Sequence, residues 1–238
     1  FVPVTESKTE ARVGLAPSIP ASKYPGAGGA SSSGASGFGG RTLHRVLPNG
    51  LTLDIVVNRA VPTVAVQGTI FAGRMESPAG KPAIPNLTAM MLTRGTTSYD
   101  KRAIAARLDG VGAQLNVFTS VTEATVAGSA LSRDTRLLLG TMADELMHST
   151  FADSEVAKAK LEMRANVLRA SENTATRGLD RLSRLAYPEG HPFRAPTTEA
   201  MLASLDAAKA SDLRAFWMYM TAHRSEERRV GKECRCRR

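Results

Sequence analysis

Between residues 41 and 220 the apolar pattern changes period in a fixed order. Two-residue alternation comes first, two short helical segments follow, alternation returns, and helical spacing then runs to the end. Strand-like and helix-like segments grouped in this way predict an α+β fold: an antiparallel sheet with helices packed on one face. The strand signals are local. Pro48, Asn49 and Gly50 separate alternating stretches at 42–47 and 51–57, and Asn-Gly in that setting predicts a hairpin. Residues 61–73, with Val64, Val66, Ile70 and Phe71, predict a longer strand. Residues 114–119 and 123–131 predict a strand pair turning near Ser120 and Val121.

The helix signals are caps and breakers. Residues 85–93 suit a helix with Ile84, Leu87 and Met91 on one face and Gly95 as its C-cap. Asp100 caps a helix over 102–108 that Gly110 and Gly112 end, and Asp134 caps another reaching His148. Asp153 or Ser154 opens the longest helix, through about Ala170. Further helices are expected at 174–187, stopped by Pro188-Glu189-Gly190, and at 198–205 and 211–220.

The flanks differ in composition. Residues 26–40 are nearly all Gly, Ser and Ala, which predicts a flexible linker spanning roughly 20 Å. No G-x-x-x-x-G-K-[ST] follows, so a phosphate-binding loop is not favoured. Pro17, Pro20 and Pro25 make the preceding stretch irregular, and residues 1–5 could end a strand of something upstream. The expected organisation is 1–40 as the end of a preceding domain plus linker, 41–223 as the folded domain, and 224–238 as a basic tail. The chain carries a formal net charge of +9, but the tail holds seven Lys/Arg against three Glu and supplies +4 of it. Residues 224–235 of that tail resemble the conceptual translation of a sequencing adapter. The other reading is a basic tail that binds polyanions. Both cysteines, Cys234 and Cys236, lie there, so the rest offers no thiolate metal site and no disulfide framework. No apolar run reaches the roughly 18 residues of a membrane-spanning helix. No signal peptide is visible at the start, and the chain begins with Phe1, so upstream sequence is expected.

Candidate chemistry is sparse. The histidines are His44, His148, His191 and His223, and each reads as structural or exposed, His191 before Pro192 as part of a turn. Asp144 and Glu145 read as the solvated face of their helix. No G-x-S-x-G is present, so nucleophilic catalysis has no visible centre. Aromatic residues make up 5% of the chain and are not interleaved with basic ones, which argues against specific nucleic-acid binding.

The stretch at 77–96, SPAGKPAIPNLTAMMLTRGT, resembles the signature helix of the pitrilysin/insulinase family of zinc peptidases. That family carries an inverted zinc motif, H-x-x-E-H, on a helix closing in Gly-Thr. Two imidazoles at i and i+4 share one helix face to hold the zinc, and the Glu activates its bound water. Leu92, Gly95 and Thr96 fit the frame, whereas Asn86, Ala89 and Met90 stand where His, Glu and His belong. The family's third ligand, a Glu from a later helix, falls near Ala170, or at Glu162 or Glu172 if the register slips. LPNGLTL at 47–53, RGTTSYDKRAIAARLDGVGAQLN at 94–116, HPF at 191–193 and DLRAF at 212–216 extend the resemblance over about 41–220.

The resemblance implies a non-catalytic half of a zinc metallopeptidase. Its catalytic and metal-binding residues are absent from this segment, and zinc is expected only in a partner catalytic half, in the same chain or a separate subunit. The implied role is to shape a clamp-like chamber and bind peptide substrate, with a periplasmic or secreted location. The alternative with the same fold is a structural or assembly subunit with no peptidase role. A polyanion-binding module is the third reading, and it rests mostly on the tail.

Overall fold

The computed structural model describes residues 42–222. The expected strand end at 1–5, the Gly/Ser linker and the basic tail lie outside the described residues. The chain divides into two compact units, one reaching to Asn58 and the other starting at Arg59.

In the first unit, β1 (Thr42–Val46) and β2 (Thr52–Val56) form the antiparallel hairpin that Asn49-Gly50 predicts. Gly50 takes φ +80°, a region that glycine enters without a Cβ penalty. The Leu47 N–H donates to the Leu51 carbonyl at 2.8 Å, and Asn49 Oδ1 accepts from the Leu51 N–H at 3.1 Å. His44 Nδ1 lies 2.6 Å from Asp54 Oδ1, its direct cross-strand neighbour.

The second unit is built on a three-stranded antiparallel sheet in the order β3 (Thr63–Ile70), β5 (Ala124–Leu131), β4 (Gln114–Thr119). Its register puts Val64 opposite Ala130, Val66 opposite Gly128, and Val117 opposite Val126. Strand side chains alternate between faces, so these residues share the covered face. Gln67, Gln114, Asn116 and Ser129 stand on the opposite, exposed face. The covered face carries helices α1 (Ile84–Leu92), α2 (Lys101–Asp109) and α3 (Thr135–His148). Helices α4 (Asp153–Glu172), α5 (Thr174–Ala186), α6 (Thr198–Ala207) and α7 (Ala210–Ala222) follow. Ile84, Leu87, Met91 and Leu92 of α1 meet Leu205, Leu213, Phe216 and Trp217 in the larger core cluster. A smaller cluster joins Ile104 and Leu108 of α2 to Ala130 and Leu138.

Four local expectations change. The strand β3 stops at Ile70, because the backbone of 74–75 turns to bond the Ser120 and Val121 carbonyls instead. Gly95 does not cap α1, which ends at Leu92 with Thr93 as its C-cap. At φ +137°, Gly95 bridges to Asp100, and its carbonyl accepts from the Thr150 N–H at 3.2 Å. Asp134 makes no capping hydrogen bond, since residues Ser132–Asp134 form a 3-10 turn that leads into α3. Neither Asp153 nor Ser154 is the cap of α4: both lie inside its first turn, where Asp153 and Glu155 complement the helix dipole.

Asp100 does cap α2, its Oδ1 accepting from the Ala103 N–H at 2.7 Å. Asp100→Ala should cost about 1 kcal/mol of stability, and Asp134→Ala less than about 0.5 kcal/mol. Urea denaturation of both variants is the check, and equal losses would remove the distinction.

Candidate functional site

Two tertiary contacts hold the start of α1. Lys81 Nζ sits 2.8 Å from Asp212 Oδ1 on α7, and the Ala83 N–H donates to Ser204 Oγ on α6 at 3.0 Å. Leu87 and Met91 then bury one helix face. On the neighbouring face Asn86 and Met90, one turn apart, are only half-buried, with Ala89 buried beside them. Thr119, at the end of β4, donates its hydroxyl to Asn86 Oδ1. Met90 packs against the larger core cluster, as do Val117 and Val167.

The structure therefore brings Asn86, Ala89 and Met90 onto one helix beside β4. Ala170 is exposed in the last turn of α4, and Glu172 ends that helix, also exposed. Glu162, the other considered carboxylate, is held by the buried guanidinium of Arg94 just beyond α1. Arg94 also lies 3.8 Å from Glu155. These groups do not fit zinc. The Asn86 oxygen is already engaged by Thr119, Ala89 brings no ligand or base, and the Met90 thioether is a soft donor unsuited to a zinc site built from imidazole and carboxylate. Among the described residues no group of three or more His, Cys, Asp or Glu side chains is placed to hold a metal ion.

A second polar group lies at the other end of α1, and here the sequence reading needs correction. Asp144 and Glu145 are not a solvated face. Asp144 Oδ2 accepts from Thr96 Oγ1 at 2.5 Å, and Oδ1 lies 2.9 Å from His148 Nδ1. His148 therefore has a carboxylate partner one helical turn away, a spacing of i, i+4 readable in the sequence but overlooked there. Burial alone would raise the Asp144 pKa, but hydrogen bonds from Thr96 and His148 outweigh it and hold the carboxyl below its ordinary range. Glu145 is buried, and its Oε2 has no hydrogen-bond partner. Burial, with the Asp144 carboxylate adding to it, pushes Glu145 up to about 8. Next to it, Ser149 Oγ donates to the Glu145 carbonyl at 2.7 Å and the Leu92 carbonyl at 3.0 Å. Trp217 Nε1 donates to the Leu146 carbonyl at 2.8 Å. These bonds fasten the ends of α1, α3 and α7 together.

The remaining histidines take structural positions. His191 Nδ1 accepts from the Phe193 N–H at 3.2 Å inside a turn, and its ring stacks on Tyr187 with centroids 4.5 Å apart. His223 lies outside the described residues.

Residues 55–196 match the model of the family described as Insulinase (Peptidase family M16). An uncharacterized zinc protease of Bacillus subtilis (strain 168), YmxG, is 30% identical over 112 residues, covering 47% of this chain and 27% of the relative. An uncharacterized zinc protease of Rickettsia bellii (strain RML369-C) is 28% identical over 128 residues, covering 53% of this chain and 31% of the relative. This chain thus spans under a third of those curated relatives. Among solved structures, a peptidase M16 inactive domain from Pseudomonas fluorescens superposes with a TM-score of 0.66 at 21% identity, covering 74% of this chain and 42% of that one. A Helicobacter pylori protease gives 0.68 at 15% identity, covering 75% and 43%. The periplasmic protease PqqL of Escherichia coli gives 0.67 at 14% identity, covering 76% and 21%.

Proposed function

Because this chain belongs to the insulinase family, peptidase family M16, we propose that it is a non-catalytic segment of a zinc metallopeptidase. One observation carries the reading. The helix at the place of the family's inverted zinc motif is present and packed, yet its three chemical positions hold Asn86, Ala89 and Met90. The frame is kept while the ligands and the base are gone. The chemistry then belongs to a catalytic half, which holds the zinc and activates its water. This segment contributes walls to the chamber between the halves and surface that grips peptide. The periplasmic neighbour PqqL makes the periplasm the natural place to look for it.

Metal analysis tests the proposal. The purified chain, dialysed against excess zinc and then buffer, should retain less than about a tenth of an equivalent, since a catalytic zinc needs three protein ligands. It should also cleave no unfolded peptide alone. One tightly held zinc per chain would overturn the reading.

A further inference from the structure

Among the described helices α5 is the most sharply two-sided, and it is turned the wrong way round. Its sequence, TATRGLDRLSRLA, places Leu179, Leu182 and Leu185 along one side. The side resting on the rest of the unit is the polar one. Thr176, Asp180, Ser183 and Arg184 are half-buried. Ser183 Oγ accepts from the Ala195 N–H at 3.1 Å. The three leucines face out, at 68%, 61% and 71% exposure, and no residue of α5 is buried. Helix α4 also exposes leucines, but opposite an apolar buried side. Leu161 and Leu168 lie on the side opposite its buried Val156, Ala159 and Met163. A sequence that gathers leucines on an outward face has selected a contact surface rather than a solvent face.

We infer that the leucine side of α5 is an interdomain surface. A further folded segment of the same polypeptide covers it, with an apolar patch bordered by carboxylates. Two observations choose this occupant. Solved chains that share the fold carry more than half their length outside the matched part, since this chain covers 42% of the Pseudomonas fluorescens domain and 43% of the Helicobacter pylori protease. Arg177 and Arg181 line an open cleft on α5 and make no salt bridge among the described residues, so a cover bearing carboxylates would complement them. The inference rests on exposure and on relatives' length, not on the lost zinc chemistry, and either can fail without the other.

The test compares this 238-residue chain with the polypeptide of the complete gene, each as wild type, Leu182→Glu and the milder Leu182→Ala. Hydrogen exchange at the α5 amides should be at least tenfold slower in the complete polypeptide than in this chain. Leu182→Glu should lower the melting temperature of the complete polypeptide by several degrees and return α5 exchange towards that of this chain. Leu182→Ala should shift both readouts the same way by less. In this chain alone both substitutions should leave the melting temperature within about 2 °C, because Leu182 is already exposed. Equal α5 exchange in the two polypeptides overturns the inference, as does a gene that encodes no further folded segment. Dimerisation of this chain abolished by Leu182→Glu would assign the face to a second copy and also overturn it. So would liposome binding by the complete polypeptide that Leu182→Glu removes.

Discussion

Gly73→Ala should destabilise the protein by about 3 kcal/mol or more, the range of overpacked or backbone-displacing core substitutions. A Cβ at Gly73 would sit 2.3 Å from the Thr122 carbonyl carbon, 2.4 Å from the Glu123 nitrogen and 2.5 Å from the Val121 oxygen. All three are backbone atoms of the turn between β4 and β5, so no side chain can swing aside. The Arg74 and Met75 N–H groups donate to the Ser120 and Val121 carbonyls at 3.1 and 2.9 Å, and parting the two segments would strain both bonds. Gly73 has φ −82°, so the requirement is for space and not for an unusual backbone angle. Gly140 supplies the control. Inside α3 with open space around its Cβ position, Gly140→Ala should stabilise by about 0.5–1 kcal/mol. Urea denaturation reads both, and a Gly73→Ala loss under about 1 kcal/mol would mean that the turn is not seated on this residue.

Stability should fall as pH rises from about 5 to 8, and Glu145→Gln should flatten the slope. The unfolded-state pKa of this side chain is near 4.5, and the folded-state value is raised to about 8. Between these values the folded chain keeps a proton that the unfolded chain releases. The Glu145 contribution is therefore intact below the lower pKa and is lost as pH climbs through the upper one. At about 1.4 kcal/mol per pH unit the accumulated loss by pH 8 is on the order of 4 kcal/mol. The amide variant resembles the protonated acid at every pH, so it should be near wild type at pH 5 and more stable by a few kcal/mol at pH 8. Denaturation at pH 5, 6.5 and 8 is the measurement. Parallel pH profiles for the two proteins would show that Glu145 does not carry the dependence.

What could be read from the sequence was what neighbouring residues decide among themselves. Asn49-Gly50 specifies its hairpin because only a few residues can adopt that turn, and Asp100 caps α2 through a hydrogen bond three residues away. The signature helix was legible because Ile84, Leu87 and Met91 repeat at helical spacing, and all three are buried. Asp134 and Asp153 were misjudged within their own helix starts, and the other errors fall where a distant partner decides. Glu145 looked like a surface acid, yet tertiary packing buries it. Gly95 looked like a helix cap, but its geometry serves Asp100 and Thr150. The leucines of α5 are plain in the sequence, yet periodicity predicts amphipathicity and not which side faces inward. At the signature helix, Asn86, Ala89 and Met90 could be placed from residue types alone, whereas the bond from Thr119 that occupies Asn86 required β4 to be in place.

The strand order also sets a timetable for synthesis. Of the three strands of its sheet β3 emerges from the ribosome first, but among the described residues its only hydrogen-bonded neighbour there is β5, with Ile70 paired to Ala124. At roughly 5–20 residues per second, the ribosome needs about 3–10 s to supply that partner. Meanwhile Val64, Val66 and Ile70 sit on a nascent strand with both edges open. The hairpin of β4 and β5 can form as soon as it is translated, because its turn is short, and β3 then adds to a ready template. A translational pause before residue 124 would lengthen the exposure of β3 to chaperones and to other nascent chains, whereas a pause once residues 124–131 have left the ribosome would leave it paired.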